Sequence, residues 1–140
     1  MKSILNYLII AGMAVFAISC AEVADPSPTN MSYGDWEVEE VYVNGQADPN
    51  GYSGSTFERL TLERDGSFIL VDNNELIFVG NWVATETSLT LTSDDGSVFD
   101  YQIVYQTYEK LHLLQTISSP TAGEITIRYL MNKDGNATTY

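Results

Sequence analysis

The stretch Leu60-Thr61-Leu62-Glu63-Arg64-Asp65-Gly66-Ser67-Phe68-Ile69-Leu70 decides the fold. Apolar and polar residues alternate on both sides of Asp65-Gly66, a pair that readily takes the positive φ values of a tight hairpin. The segment therefore reads as two antiparallel strands and their turn. The same pattern recurs at Leu89-Thr90-Leu91, Asp95-Gly96 and Val98-Phe99. Asn73-Asn74, Glu86-Thr87, Tyr108-Glu109 and Ser119-Pro120-Thr121 supply further breaks, and from Gly34 onward no stretch sustains a helical apolar period.

Extending this reading in both directions predicts eight strands, over 35–43, 57–64, 67–72, 76–84, 88–92, 97–105, 109–117 and 123–132. Most connections are too short for parallel crossovers, so the sheet is antiparallel and sequential. Alternation assigns the faces. Phe99, Tyr101, Ile103 and Tyr105 share one side against Asp100 and Gln102, and Ile125, Ile127, Tyr129 and Met131 oppose Glu124, Thr126 and Arg128. An antiparallel meander with one apolar face closes most simply as an all-β, eight-stranded up-and-down barrel, which leaves no open edges. The competing two-sheet sandwich needs long crossing loops, and only 44–56 is long enough.

Composition bounds the function. The chain has 140 residues, 44% of them hydrophobic and 18% charged, which supports a packed core. A formal charge of −13 repels phosphate backbones, so nucleic acid is excluded as a partner and any electrostatically steered protein partner is cationic. One Cys permits no internal disulfide, and one His permits no multi-His site.

The amino-terminal segment reads as an address. Lys2 precedes an apolar run from Ile4 to Ile18, the layout of a secretory signal. The run falls short of the roughly 20 residues a helix needs to cross a bilayer. Ala17-Ile18-Ser19-Cys20 resembles the lipobox of bacterial lipoproteins, with Ala17 where Leu is commonest. The resemblance implies a signal peptide over 1–19, lipidation of Cys20, and a membrane anchor through several acyl chains. Ala21 rather than Asp after the Cys implies the outer membrane, and Glu22 and Asp25 resemble the acidic patch that sends some Bacteroidota lipoproteins to the cell surface. Residues 20–33, with Asp25-Pro26-Ser27-Pro28, read as a flexible tether. Loss of residues 1–19 removes one Lys and no acid, leaving 121 residues with a formal charge of −14.

Gly34-Asp35-Trp36 resembles the Gly-x-Trp signature of lipocalins. With Leu60 to Phe68, Gly80-Asn81-Trp82 and Leu89-Thr90-Leu91 in order, the span 34–133 is similar to the short lipocalin-like domains of Bacteroidota lipoproteins. The resemblance implies structural roles for Gly34, Trp36, Gly80 and Trp82, and an Arg from the last strand lying across the signature Trp, for which Arg128 is the candidate. Classical lipocalins carry a further helix, whereas residues 134–140 read as a short tail.

Alternating ends place loops 44–56, 72–75, 93–96 and 118–122 around one mouth. The Gly-rich loop 44–56 is the candidate lid. Glu40, Tyr42, Tyr52, Phe78, Phe99, Tyr101 and Ile125 are the candidate ligand-binding residues, because Tyr and Phe offer flat apolar contact and a Tyr hydroxyl can orient a ligand. Eight strands enclose a space that is either filled by side chains or holds one small ligand.

No Ser or Cys has a His base at a recognisable spacing, and His112, between Leu111 and Leu113, faces outward. Asp48, Asn50 and Glu58 fail an EF-hand pattern, since Ser53 stands where the turn needs Gly. The expectation is a non-enzymatic lipoprotein without cofactor or metal. Its barrel either binds a small apolar or amphipathic ligand or is a filled, acidic interaction module.

Overall fold

The computed structural model describes residues 27–48, 57–72 and 75–134. A helical turn, α1 (Pro28–Ser32), precedes nine strands: β1 (Gly34–Val43), β2 (Gln46–Ala47), β3 (Arg59–Leu62), β4 (Ser67–Asp72), β5 (Glu75–Ala84), β6 (Ser88–Ser93), β7 (Val98–Gln106), β8 (Lys110–Ser119) and β9 (Gly123–Lys133). Strands β1 and β3 to β9 are the eight expected from the sequence. They pair antiparallel in chain order, and β1 closes onto β9 from Trp36 opposite Lys133 to Val43 opposite Ile127. The result is the expected closed barrel, with one additional short strand.

That extra strand, β2, follows a hairpin at Asn44-Gly45, where both residues have positive φ, 50° and 81°. It completes the wall beside the upper half of β1, which the four residues of β3 do not reach. Both Asp-Gly turns behave as read. Gly66 and Gly96 each take φ 89°, and the Asp oxygen ahead of each accepts the backbone N–H of Ser67 or Ser97 at 2.9 Å.

The interior is one apolar cluster. Trp36, Leu60, Leu62, Phe68, Leu89, Leu91, Leu111, Leu113, Ile127, Tyr129 and Met131 are all buried, and Ile125 and Tyr101 join them. Alternation on β9 is as expected. Two faces differ because of β-bulges, in which one extra residue reverses the side on which every later residue points. A bulge between Val38 and Glu40 turns Val41 and Val43 inward and Tyr42 outward. Another between Ile103 and Tyr105 puts Tyr105 on the outside, 48% exposed, although Tyr101 and Ile103 are buried.

α1 lies within the stretch expected to be a flexible tether. Ser27 caps it by accepting the N–H of Asn30, and Pro28 occupies its first turn, where the missing N–H costs nothing. Ser32 is fully buried: its carbonyl accepts the Trp36 indole N–H at 2.6 Å, and its hydroxyl accepts the Gln106 side-chain amide at 2.7 Å. The folded unit therefore begins ahead of residue 34. The segment 1–19 expected to be a signal, Cys20 and the tail from 135 lie outside the described residues.

Candidate functional site

The two ends of the barrel differ in construction. One end gathers α1, the start of β1, the turns 63–66, 85–87 and 107–109, and the end of β9. Two indoles seal it. Trp36 is completely buried, and Trp82 donates its indole N–H to the Glu63 carbonyl at 2.9 Å.

A cation does lie across Trp36, but it is Lys133 and not Arg128. The Lys133 ammonium sits 4.8 Å from the Trp36 ring and 5.2 Å from that of Tyr33, and the Arg64 guanidinium covers the Tyr33 ring at 4.3 Å. Burial holds the Lys133 amine below its ordinary pKa. Arg128 is exposed on the outer wall, opposite Tyr42 in the β1–β9 register. The reason is parity: Lys133 shares the inward set of Ile125, Ile127, Tyr129 and Met131, and Arg128 does not. Gly34 is tied to the same arrangement. Its φ is +131°, and a Cβ there would meet the Lys133 side chain at 2.8 Å. Gly80 is tied to close strand approach, since a Cβ would stand 2.0 Å from the Thr92 carbonyl oxygen.

The other end is the mouth, framed by the β1–β2 turn and the turns after β4, β6 and β8. The floor beneath it is aromatic. Phe57 stacks on Tyr129 at 4.6 Å, and Tyr101 meets both rings edge-on at 6.3 and 6.1 Å. Burial drives the Tyr101 and Tyr129 hydroxyls far above the ordinary phenol range, so both stay protonated at any physiological pH. Nearer the opening, Phe78 and Phe99 are half-buried and in contact at 4.9 Å, and Leu76 at the start of β5 is 63% exposed.

The candidate ligand residues thus divide. Phe78, Phe99, Tyr101 and Ile125 lie on the inner side of the barrel. Glu40 and Tyr42 do not, because the β1 bulge turns them outward, where the Tyr42 hydroxyl donates to the Glu40 carboxylate at 2.7 Å. That hydrogen bond, with the adjacent negative charge, raises the Tyr42 pKa. Tyr52, and the part of loop 44–56 from 49 on, lie outside the described residues. Phe57 and Tyr129 were absent from the candidate set. Alternation along β9 was the available signal for Tyr129, whereas alternation along the expected strand 57–64 sets Phe57 on the side away from Leu60 and Leu62, and its burial follows from its lying ahead of the regular strand β3.

Among the described residues the buried polar side chains are Ser32 and Ser93, so the described interior offers aromatic faces rather than charge. His112 faces outward between two buried leucines, as expected, against the ring of Tyr105 at 5.0 Å. No protein-family model matches this chain, and no curated protein matches it.

Proposed function

We propose that this chain is a non-enzymatic lipoprotein, anchored through Cys20 in the outer membrane, whose lipocalin-like barrel binds a small apolar or amphipathic molecule at its mouth. The half-buried Phe78–Phe99 pair carries this reading, because it leaves aromatic surface available above a floor already filled by Phe57, Tyr101 and Tyr129. A ligand is therefore held at the rim and not deep in the barrel. Flat rings supply apolar contact, and the surrounding rim is polar.

Titration of the mature protein with the neutral fluorophore N-phenyl-1-naphthylamine tests the reading. Saturable enhancement is expected, weakened at least about tenfold by Phe99→Ser, which at 1.4 kcal/mol per decade is less than the transfer energy of one aromatic side chain. No saturable binding by the unaltered protein refutes it. Cys20→Ala is expected to release the protein from membranes, and unchanged fractionation refutes the anchor.

The packed interior favours a second reading, an acidic module that holds a cationic protein. Capture that weakens steeply with salt supports it, and salt-independent capture counts against it.

A further inference from the structure

We infer that the closed end of the barrel is the face that meets an anionic bilayer, so that the mouth opens away from the membrane and takes its ligand from the aqueous side. The inference rests on the lipid anchor proposed above and deepens it by fixing which surface the lipid touches.

The first observation is the attachment point. α1 docks at the closed end through Ser32, which is fixed by Trp36 and Gln106. The chain from Cys20 thus enters the barrel at that end. Seven peptide links, through six residues, join Cys20 to the Ser27 cap, a reach of at most about 25 Å when fully extended. β9 has 11 residues, and at roughly 3.3 Å per residue and a tilt of about 40° the wall stands about 28 Å high. Turning the mouth to the bilayer would require the tether to run the whole height of the wall, more than it can span. Resting the closed end there requires no extension.

The second observation is the distribution of charge and of tyrosine. Arg64, Lys110 and Lys133 all stand at the closed end and offset most of the charge of Glu63, Asp65, Glu86, Glu109 and Asp134, leaving this end less acidic than the mouth, and Tyr33 and the 52%-exposed Tyr108 stand beside them. Two clefts open there, one of about 330 Å³ that includes Tyr33, Arg64 and Tyr108, the other of about 400 Å³ in which Lys110 and Lys133 stand with Glu109 and Asp134. Cations and tyrosine suit the headgroup layer. The turns and strand ends of the mouth carry Asp48, Asp72, Glu75, Asp94, Asp95 and Glu124 against one described cation, Arg59 at the start of β3. A net charge of −14 spread evenly would only repel the protein from the surface; arranged in this way it also orients it.

The test uses the mature lipoprotein extracted from membranes and returned to vesicles containing phosphatidylglycerol. Acylated Cys20 has no thiol, so Thr87→Cys at the closed end or Thr121→Cys at the mouth supplies the one reactive site for a bimane label. With a nitroxide on the lipid headgroups, the label at 87 is expected to lose more than half of its emission while that at 121 keeps nearly all of it. Equal quenching at both sites, stronger quenching at 121, or none at 87 overturns the orientation. Absence of acyl mass on Cys20 overturns the anchor reading and this inference with it, and mass spectrometry of the amino-terminal peptide separates that outcome from the others.

Discussion

Replacing Gly80 by Ala tests whether the barrel depends on the closeness of β5 and β6. The added methyl would lie 2.0 Å from the Thr92 oxygen, 2.7 Å from Ser93 Cα and 2.9 Å from Thr92 C, all backbone atoms with no rotamer to adjust. Ordinary contact needs about 3.4 Å or more, so β6 must retreat by roughly 1.4 Å. Such a movement takes the bond from Asp94 N–H to the Val79 carbonyl, now 2.9 Å, beyond hydrogen-bond range, together with the Ser93 hydroxyl bond to the same carbonyl at 3.2 Å. Two lost bonds at about 1 kcal/mol each and overpacking of about 1–3 kcal/mol give a loss of about 3–5 kcal/mol. A domain of this size has about 5–15 kcal/mol in total. Urea unfolding followed by tryptophan fluorescence should show a much lower midpoint at an unchanged slope. Gly66→Ala is the control. Its φ is +89° but nothing lies within 4 Å of the new Cβ, so only the left-handed backbone penalty of about 1–2 kcal/mol applies. If Gly80→Ala costs no more than Gly66→Ala, the steric argument is wrong.

The carboxyls of Asp65 and Asp95 are held below their ordinary pKa of 3.8 by hydrogen bonds from Ser67 and Ser97. The stabilisation is present above the unfolded value and is lost as pH falls through the lower folded one. Acid titration of stability between pH 5 and 2 should therefore have a shallower slope in the Asp65→Asn, Asp95→Asn double variant. His112 is held below its ordinary 6.5, first by burial and then by the charges of Arg128 and Lys110. Its ring should titrate below 6.5 by proton NMR and move upward in Arg128→Gln; a midpoint at or above 6.5 in the parent refutes the assignment. Because folding favours the neutral ring, this contribution is present above the unfolded pKa and lost as pH falls through the folded one.

The barrel was legible because its information is local. Asp65-Gly66 and Asp95-Gly96 fix two turns, and alternation from Ile125 to Met131 fixes a face, with no knowledge of the partner strand required. Asn44-Gly45 was equally legible as a hairpin but lay within what looked like one long loop. The candidate site was less legible because a bulge has no residue signature of its own. One extra residue near Glu39 moved Glu40 and Tyr42 out of the site, and another at Val104 moved Tyr105 to the outside. The substitution of Lys133 for Arg128 was readable in principle, since the parity that places Arg128 with Glu124 and Thr126 places Lys133 with the core. Ser27-Pro28 is a helix start, but its proline-rich context resembles a linker.

The seam between β1 and β9 has a consequence for the order of events in the life of the chain. Trp36 meets Lys133, a residue made about 100 residues later in the chain. Closing a loop of roughly 100 residues costs about 4 kcal/mol of chain entropy, none of it returned until the last strand has arrived. A chain released vectorially, whether from a ribosome or through a narrow pore, must therefore wait with the edge of β1 unpaired. Hairpins between β3 and β8 can form as they emerge, but the final closure must wait for β9, and a chain cut short of β9 is left with an open edge that another chain can occupy.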